Sequence, residues 1–360
     1  MTSVIHASVA GERYVVGGVD AHADSHTVAV LDTLGRRIDS AAFPTTTTGY
    51  RDLHRWLTQH GQVTAVGVES TGSYAAALTR HLHAAGLRVV EVNQPHAYAR
   101  ARRGKSDAVD AEMAARKVLS GESSAVPKDT TGLVESVRVL KVARTGAVKA
   151  RSTALVTLGA LLVTAPAELR EQLDAKSLNG RAVQAARLRP DLARLADPHQ
   201  AAKLALRSLA RQIADLDERI AELDQALTPL VTIAAPRTLA LLGVGVQHGA
   251  QLLLTIGQNL GRVHDEAAFA HLCGVSPLLA SSGKTDRHRL NHGGDRQANS
   301  ALHMITVVRL RYCEQTRAYM TRRTAEGKTR RETMRCLKRY IARQVYATLT
   351  ADLRELAQTT

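Results

Sequence analysis

Tyr14-Val15-Val16-Gly17-Gly18-Val19-Asp20 is an apolar, β-rich run that stops on a carboxylate, and the rest of the first hundred residues is read outward from it. A turn from Ala21 to Ser25 leads to a second β-rich run, His26 to Leu31, and a turn at Thr33-Leu34-Gly35 leads to a third, Arg37 to Phe43. Three short strands joined by tight turns predict an antiparallel meander. After Pro44 the period changes: Tyr50, Leu53, Trp56 and Leu57 share one helical face, and His60-Gly61 ends that helix. Val63 to Val68 is a continuous apolar strand ending at Glu69. Ser70-Thr71-Gly72-Ser73, a helix to about Ala85, a strand from Leu87 to Val92 and a short helical piece from Pro95 follow. Three strands, then helix, strand, helix, strand, helix is the order of a mixed sheet flanked by helices.

In such sheets function collects at the carboxyl ends of strands. Asp20 ends the first strand and Glu69 the fourth, so the two acids meet if those strands are parallel neighbours. A third element follows in Arg102-Arg103-Gly104-Lys105-Ser106-Asp107-Ala108-Val109-Asp110-Ala111-Glu112. Its spacing puts Asp107 and Asp110 on one helix face, about one turn apart. The ordinary account is a helix start capped by Ser106 or Asp107, with acids complementing the dipole, and likewise a turn acid at Asp20 and a helix-start acid at Glu69. Four carboxylates gathered from three elements would repel one another without a cation, and an all-oxygen donor set suits Mg²⁺ or Mn²⁺. Arg102, Arg103 and Lys105 then read as phosphate contacts beside that metal. His22 and His26 around Asp24 invite zinc, but the turn offers no i, i+4 face and oxygen donors dominate the neighbourhood. Ala21-His22-Ala23 stands where an ATPase of the strand-Asp type needs glycine to cradle phosphate.

The 360 residues, 44% of them hydrophobic, suffice for two or three domains with real cores. A formal charge of +15 points to a polyanion, nucleic acid ahead of a membrane surface. With aromatics at 3%, phosphate contacts are expected rather than base stacking. Cys273, Cys313 and Cys336 are dispersed, which supports neither a disulfide framework nor a zinc ribbon and fits a reducing cytoplasm. Met1 to Ala10 lacks a signal-peptide pattern, and no 18-residue uninterrupted apolar run occurs, so a soluble intracellular protein is expected.

Val118 to Lys128, with Gly121, Ser123, Ser124 and Pro127, reads as a domain edge. Gly132 to about Thr164 is a long helical stretch carrying Arg138, Lys141, Arg144, Lys149 and Arg151, either a solvated face or a helix along phosphates. Leu206, Leu209, Ile213, Leu216, Ile220, Leu223 and Leu227 form a heptad seam that fits either the preceding helix or another subunit. After Pro229 and Pro236, Leu241 to Val246 and Gly249 to Ile256 suggest helix, Gly-rich turn, helix. Further on, Cys273-Gly274-Val275-Ser276-Pro277 precedes Ser281-Ser282-Gly283-Lys284, then Arg287, His288, Arg289, the Gly293-Gly294 turn and a helix capped by Asp295. A serine in such a loop becomes a nucleophile when cations or a metal stabilise the charge it generates. Tyr340 to Leu353 reads as an exposed basic helical tail.

With Asp20, Glu69, Asp107 and Asp110 followed by the Cys-Gly-Val-Ser-Pro and Ser-Gly-Lys runs and Gly294-Asp295-Arg296, the chain resembles, over nearly its whole length, DEDD transposases of the insertion-sequence 110 group. The resemblance implies a ribonuclease-H-like (RuvC-like) α/β domain over residues 12–126, a helical coiled-coil region over 127–235 and a mostly α C-terminal transposase domain over 236–355. It implies that the four acids bind Mg²⁺, and that Ser282, with Ser281 as its neighbouring alternative, attacks a DNA phosphodiester to give a covalent phosphoserine. Lys284, Arg287, Arg289 and Arg296 would join Arg102, Arg103 and Lys105 in holding nucleic acid. Donor and target DNA, a noncoding bridge RNA from the same element and a dimer-to-tetramer assembly are the implied partners, in the bacterial cytoplasm at the nucleoid, with no membrane. A junction nuclease using water, or an inactive nucleic-acid-binding protein, are the rival classes.

Overall fold

The computed structural model describes residues 13–92, 106–279, 281, 288–289 and 291–359. The chain divides into two compact units, residues 1–132 with 257–264, and residues 133–256 with 265–360.

The first unit is a five-stranded sheet. β1 (Tyr14–Ala21), β2 (Ser25–Asp32) and β3 (Arg37–Pro44) form the expected antiparallel meander. α1 (Thr47–Gln59) returns the chain so that β4 (Gln62–Glu69) pairs parallel to β1, and α2 (Ala76–Ala84) does the same for β5 (Val89–Val92) against β4. The strand order is β3-β2-β1-β4-β5. The helical piece expected from Pro95 lies outside the described residues, and α3 (Asp107–Leu119) follows.

Period-2 alternation divides the strands between two helical layers. Val15, Val19, Val66 and Val68 turn to one face, where they pack with Leu53 and Leu57 of α1 and Leu78 and Leu82 of α2. Val16 and Leu31 turn to the other and meet Ala115, Val118 and Leu119 of α3. The α3 face holds two adjacent glycines, Gly18 and Gly67, paired across β1 and β4. A Cβ at Gly18 would sit 2.1 Å from the Ala111 carbonyl oxygen, and one at Gly67 2.6 Å from that of Ala114. The missing side chains, with small alanines opposite, let helix backbone lie directly on sheet backbone.

The second unit is helical. α4 (Leu133–Thr164) and α7 (Pro198–Ala234) run antiparallel, with Arg144 bonded to Asp224 at 2.5 and 2.9 Å and Arg151 to Asp217. The heptad seam is thus used within the chain: Leu206 and Ile213 pack with Leu158 and Leu162, joined by α5 (Ala167–Gln172) and α6 (Leu178–Ala185). By length and composition α4 could cross a membrane, but its ion pairs and apolar contacts go to α7. Pro229 lies inside α7, which continues to Ala234.

α8 (Pro236–Leu239), α9 (Val246–Ile256), α10 (Glu266–Leu272), α11 (Arg296–Tyr312), α12 (Glu314–Ala325) and α13 (Arg330–Thr359) complete the unit. The expectation of an exposed C-terminal tail is corrected. Leu337, Ile341, Val345, Leu349 and Leu353 make one buried stripe along α13 at helical spacing, and only its other faces carry the cations to solvent. Buried Asp352 fastens that helix by accepting from the Arg237 and Thr238 amides at 3.1 and 3.0 Å and from the Thr238 hydroxyl at 2.8 Å.

Candidate active site

Asp20 and Glu69 lie side by side because β1 and β4 are parallel neighbours: Val19 pairs with Val68, so the next residue on each strand is the acid. Alternation fixes their direction. Each acid is two residues beyond the glycine that faces α3, hence on the α3 side of the sheet.

α3 runs back along these strands from their carboxyl ends. Its middle residues Ala111, Ala114 and Ala115 lie over Gly18 and Gly67, so its first turn stands over the strand ends. Ser106 is the N-cap, its hydroxyl accepting from the Val109 amide, which leaves Asp107 and Asp110 in that first turn. Asp110 is 2% exposed and Asp20 8%, whereas the Asp107 side chain is open to solvent. Burial raises the Asp20 carboxyl above its ordinary range; His22 pulls the other way, and the Asp110 and Asp107 charges push it further up. That mutual influence places three of the four acids in one electrostatic neighbourhood, with Glu69 beside Asp20 in the strand register.

Glu112, also buried, does not belong to the cluster. It bonds Arg116 at 2.9 and 2.7 Å and approaches Arg37 at 3.5 Å, a structural ion pair. His22 does belong: its Nε2 is 3.2 Å from Asp20 Oδ2 and 3.5 Å from Asp107 Oδ1. One ligand atom from each of Asp20, His22 and Asp107 fits within 4.8 Å, a spread suited to one cation. Hard carboxylate oxygens, those of Asp20 and Asp110 buried and that of Asp20 raised by its burial, fit a divalent cation. His26 lies apart from this set, buried and stacked on Tyr50 at 5.8 Å, so the two histidines do not share a metal.

Directly after Glu69, Ser70 has φ of 55°, the one non-glycine in the left-handed region among the described residues. The sharp turn it makes, with Ser73 donating to the Ser70 carbonyl at 2.9 Å, ends β4 on the acid. Reading the sequence alone missed His22 as a neighbour of the acids and missed the glycines beneath α3. The signal was present: Gly18-Val19-Asp20 and Gly67-Val68-Glu69 repeat one pattern, a space for a helix followed two residues later by an acid.

The second candidate segment is in the helical unit. Leu278–Leu279 and His288–Arg289 pair antiparallel as β6 and β7, and Ser281 follows β6. Ser281 and Arg289 are exposed, and Arg296 is exposed at the start of α11. Ser282, Lys284 and Arg287, like Arg102, Arg103 and Lys105, lie outside the described residues. Asp295 caps α11, accepting from the Gln297 and Ala298 amides at 2.8 and 3.1 Å, and its second oxygen takes the Thr255 hydroxyl at 2.7 Å. That carboxylate is committed to structure. Gly294 abuts Gly274, where a Cβ would lie 2.3 Å from the Gly274 amide nitrogen, so the Gly-Gly turn packs on the Cys273-Gly274 turn.

Two family models match the chain. One for DEDD transposases of the IS110 type, described as a transposase, matches residues 17–165 and so spans the four acids; one described as transposase, IS116/IS110/IS902 family, matches residues 237–321 and spans the serine segment. No curated protein matches it.

Proposed function

Because the chain belongs to the IS110 family of transposases, we propose that it cuts and rejoins donor and target DNA in the movement of an insertion sequence, using the acid cluster and Ser282 as two parts of one reaction. The observation that carries this reading is the gathering of Asp20, Asp107 and Asp110, with Glu69 in register beside Asp20, where two strands and a helix meet. We read the first unit as ribonuclease-H-like, a reading supported by its five-stranded mixed sheet with acids at the ends of the neighbouring parallel strands β1 and β4.

Asp20, Glu69, Asp107 and Asp110 would hold Mg²⁺ or Mn²⁺, which supplies neutralising charge to a phosphodiester oxygen. The residues do the rest. Ser282 gives up its hydroxyl proton as its Oγ forms the new bond to phosphorus, the bond to the leaving deoxyribose oxygen breaks, and that oxygen takes up a proton. The reverse attack by a strand hydroxyl restores the serine, so the bond energy of the strand is kept for rejoining. Arg102, Arg103 and Lys105, and Lys284, Arg287, Arg289 and Arg296, contact phosphates around the two segments. The working division is an acid domain over 12–126, a coiled-coil linker over 127–235 and a transposase domain over 236–355. A noncoding bridge RNA would direct site choice in a dimer-to-tetramer assembly in the bacterial cytoplasm, at the nucleoid and away from membranes.

Trapping separates this from a junction nuclease that uses water. Incubation of the full chain with Mg²⁺ and DNA from the element ends should give a protein–DNA adduct stable to denaturant and absent in Ser282→Ala. Cleavage without an adduct would reject the serine mechanism. RNA that co-purifies should be a discrete species encoded beside the gene; bulk cellular RNA alone would reject the guide.

A further inference from the structure

Between α11 and α13 runs a groove of about 670 Å³. Val307, Leu310 and Met334 give it apolar lining, and Arg330, Arg331, Arg335 and Lys338 line it with cations. It follows α11 from Asn299 to Leu310, about 17 Å at 1.5 Å per residue. Backbone charges on a duplex strand are spaced about 3.4 Å along the axis, so that length accompanies about five of them.

Of these four cations, the three arginines Arg330, Arg331 and Arg335 form no ion pair within the fold among the described residues, and all three are exposed. Glu332, the acid between them, is engaged in a capping box: it takes the Thr329 amide at 2.8 Å and hydroxyl at 2.7 Å, and its own amide donates back to that hydroxyl at 3.3 Å. Local helix energetics give no reason for arginines in a first turn, where acids are favoured. Lys338 is half-buried, and burial with Arg335 beside it pulls its ammonium below the ordinary range, so an anion there would relieve both.

The inner end of the groove is tied to the motif region. Lys338 Nζ donates to Asn299 Oδ1 at 2.8 Å, and Asn299 Nδ2 donates to the Cys273 and Gly274 carbonyls at 3.1 and 2.9 Å. Gly274 packs closely on the next turn: a Cβ on it would lie 3.3 Å from the Asn291 carbonyl oxygen, and one on Gly294 2.3 Å from the Gly274 amide nitrogen.

We propose that the α11–α13 groove is a track for DNA backbone, with Arg330, Arg331 and Arg335 on phosphates and deoxyribose lying against Val307, Leu310 and Met334, leading a strand toward the Cys273-Gly274 turn. The inference rests on the transposase reading for its choice of DNA as the polyanion. The test measures binding alone, in the Ser282→Ala background without divalent metal, so that failure of the serine mechanism does not affect it. Arg330→Gln/Arg331→Gln/Arg335→Gln should keep the thermal midpoint of its parent and bind duplex DNA more weakly, with a log Kd against log salt slope smaller by about 2 to 3. A charge-matched control, Arg170→Gln/Arg211→Gln/Arg219→Gln, alters exposed cations elsewhere in the same unit and should change the slope less. Equal losses in both triples would reduce the effect to net charge and overturn the proposal, as would a defect seen with RNA but not with DNA, or no change in slope.

Discussion

Gly18 on β1 lies directly beneath the carbonyl of Ala111 on α3, so close that a methyl group at position 18 would stand 2.1 Å from that oxygen. The contact sets the height of α3 over the sheet, and with it the position of Asp110 relative to Asp20. Gly18→Ala should force the helix off the strands, at a cost of about 1–3 kcal/mol for overpacking, and should weaken Mn²⁺ binding. Gly17→Ala, which turns to the opposite face and meets the end of the Leu57 side chain at 3.0 Å and the Val66 methyls at 3.4 and 3.5 Å, should leave metal binding near wild type. Thermal midpoints and Mn²⁺ titrations of the two variants decide this; equal effects would show that helix height does not matter to the site.

The raised carboxyl of Asp20 has a pH signature. The folded protein holds a proton that the unfolded chain has released, so in chelator stability falls as pH rises from the ordinary aspartate value, about 3.9, through the raised one, and stays lower above it. Asp20→Asn removes that titration. Its metal-free midpoint should decline less over this window, and Mg²⁺ should raise the midpoint of the wild type but not of the variant. Parallel pH curves for the two proteins in chelator would contradict the electrostatic account of the cluster.

Glu266 titrates in the opposite sense. The Arg339 guanidinium, joined by Arg343, holds its carboxyl down at about 2. Its contribution is present above the ordinary value of about 4.5 and is lost as pH falls from there toward 2. Glu266→Gln should therefore lower the thermal midpoint at neutral pH and approach wild type as pH falls toward 2, because protonation removes most of what the α10–α13 ion pair contributes. A constant offset at every pH would assign the effect to packing.

His22 bridges Asp20 and Asp107. Outer partners that orient ligands commonly contribute about tenfold or more in metal affinity, so His22→Ala should weaken Mn²⁺ binding by about that factor, with His22→Gln recovering part. Calorimetric titration reads the difference; unchanged affinity would make His22 a bystander.

The layout of the first unit was legible in the sequence because its strands carry strong β patterns cut by turn residues, and because Asp20 and Glu69 stand where apolar runs stop. Strand order followed from one further fact that sequence does not state, the parallel pairing of β1 with β4. What escaped were features that depend on space rather than on pattern. His22 reaches the acids through a turn with no periodicity to read, and α13 buries its apolar stripe among cations that hide it. Pro229 sits within α7, because a helix held by packing along its length tolerates one missing hydrogen bond.

That Asp20, Glu69, Asp107 and Asp110 form one divalent-cation site is tested most directly by calorimetric titration of Mn²⁺ into the wild type and the four single variants Asp20→Asn, Glu69→Gln, Asp107→Asn and Asp110→Asn. Each variant should lose most of the affinity while keeping a folded thermal transition. Wild-type binding curves in all four would contradict it and return Asp107 and Asp110 to the role of helix-start acids.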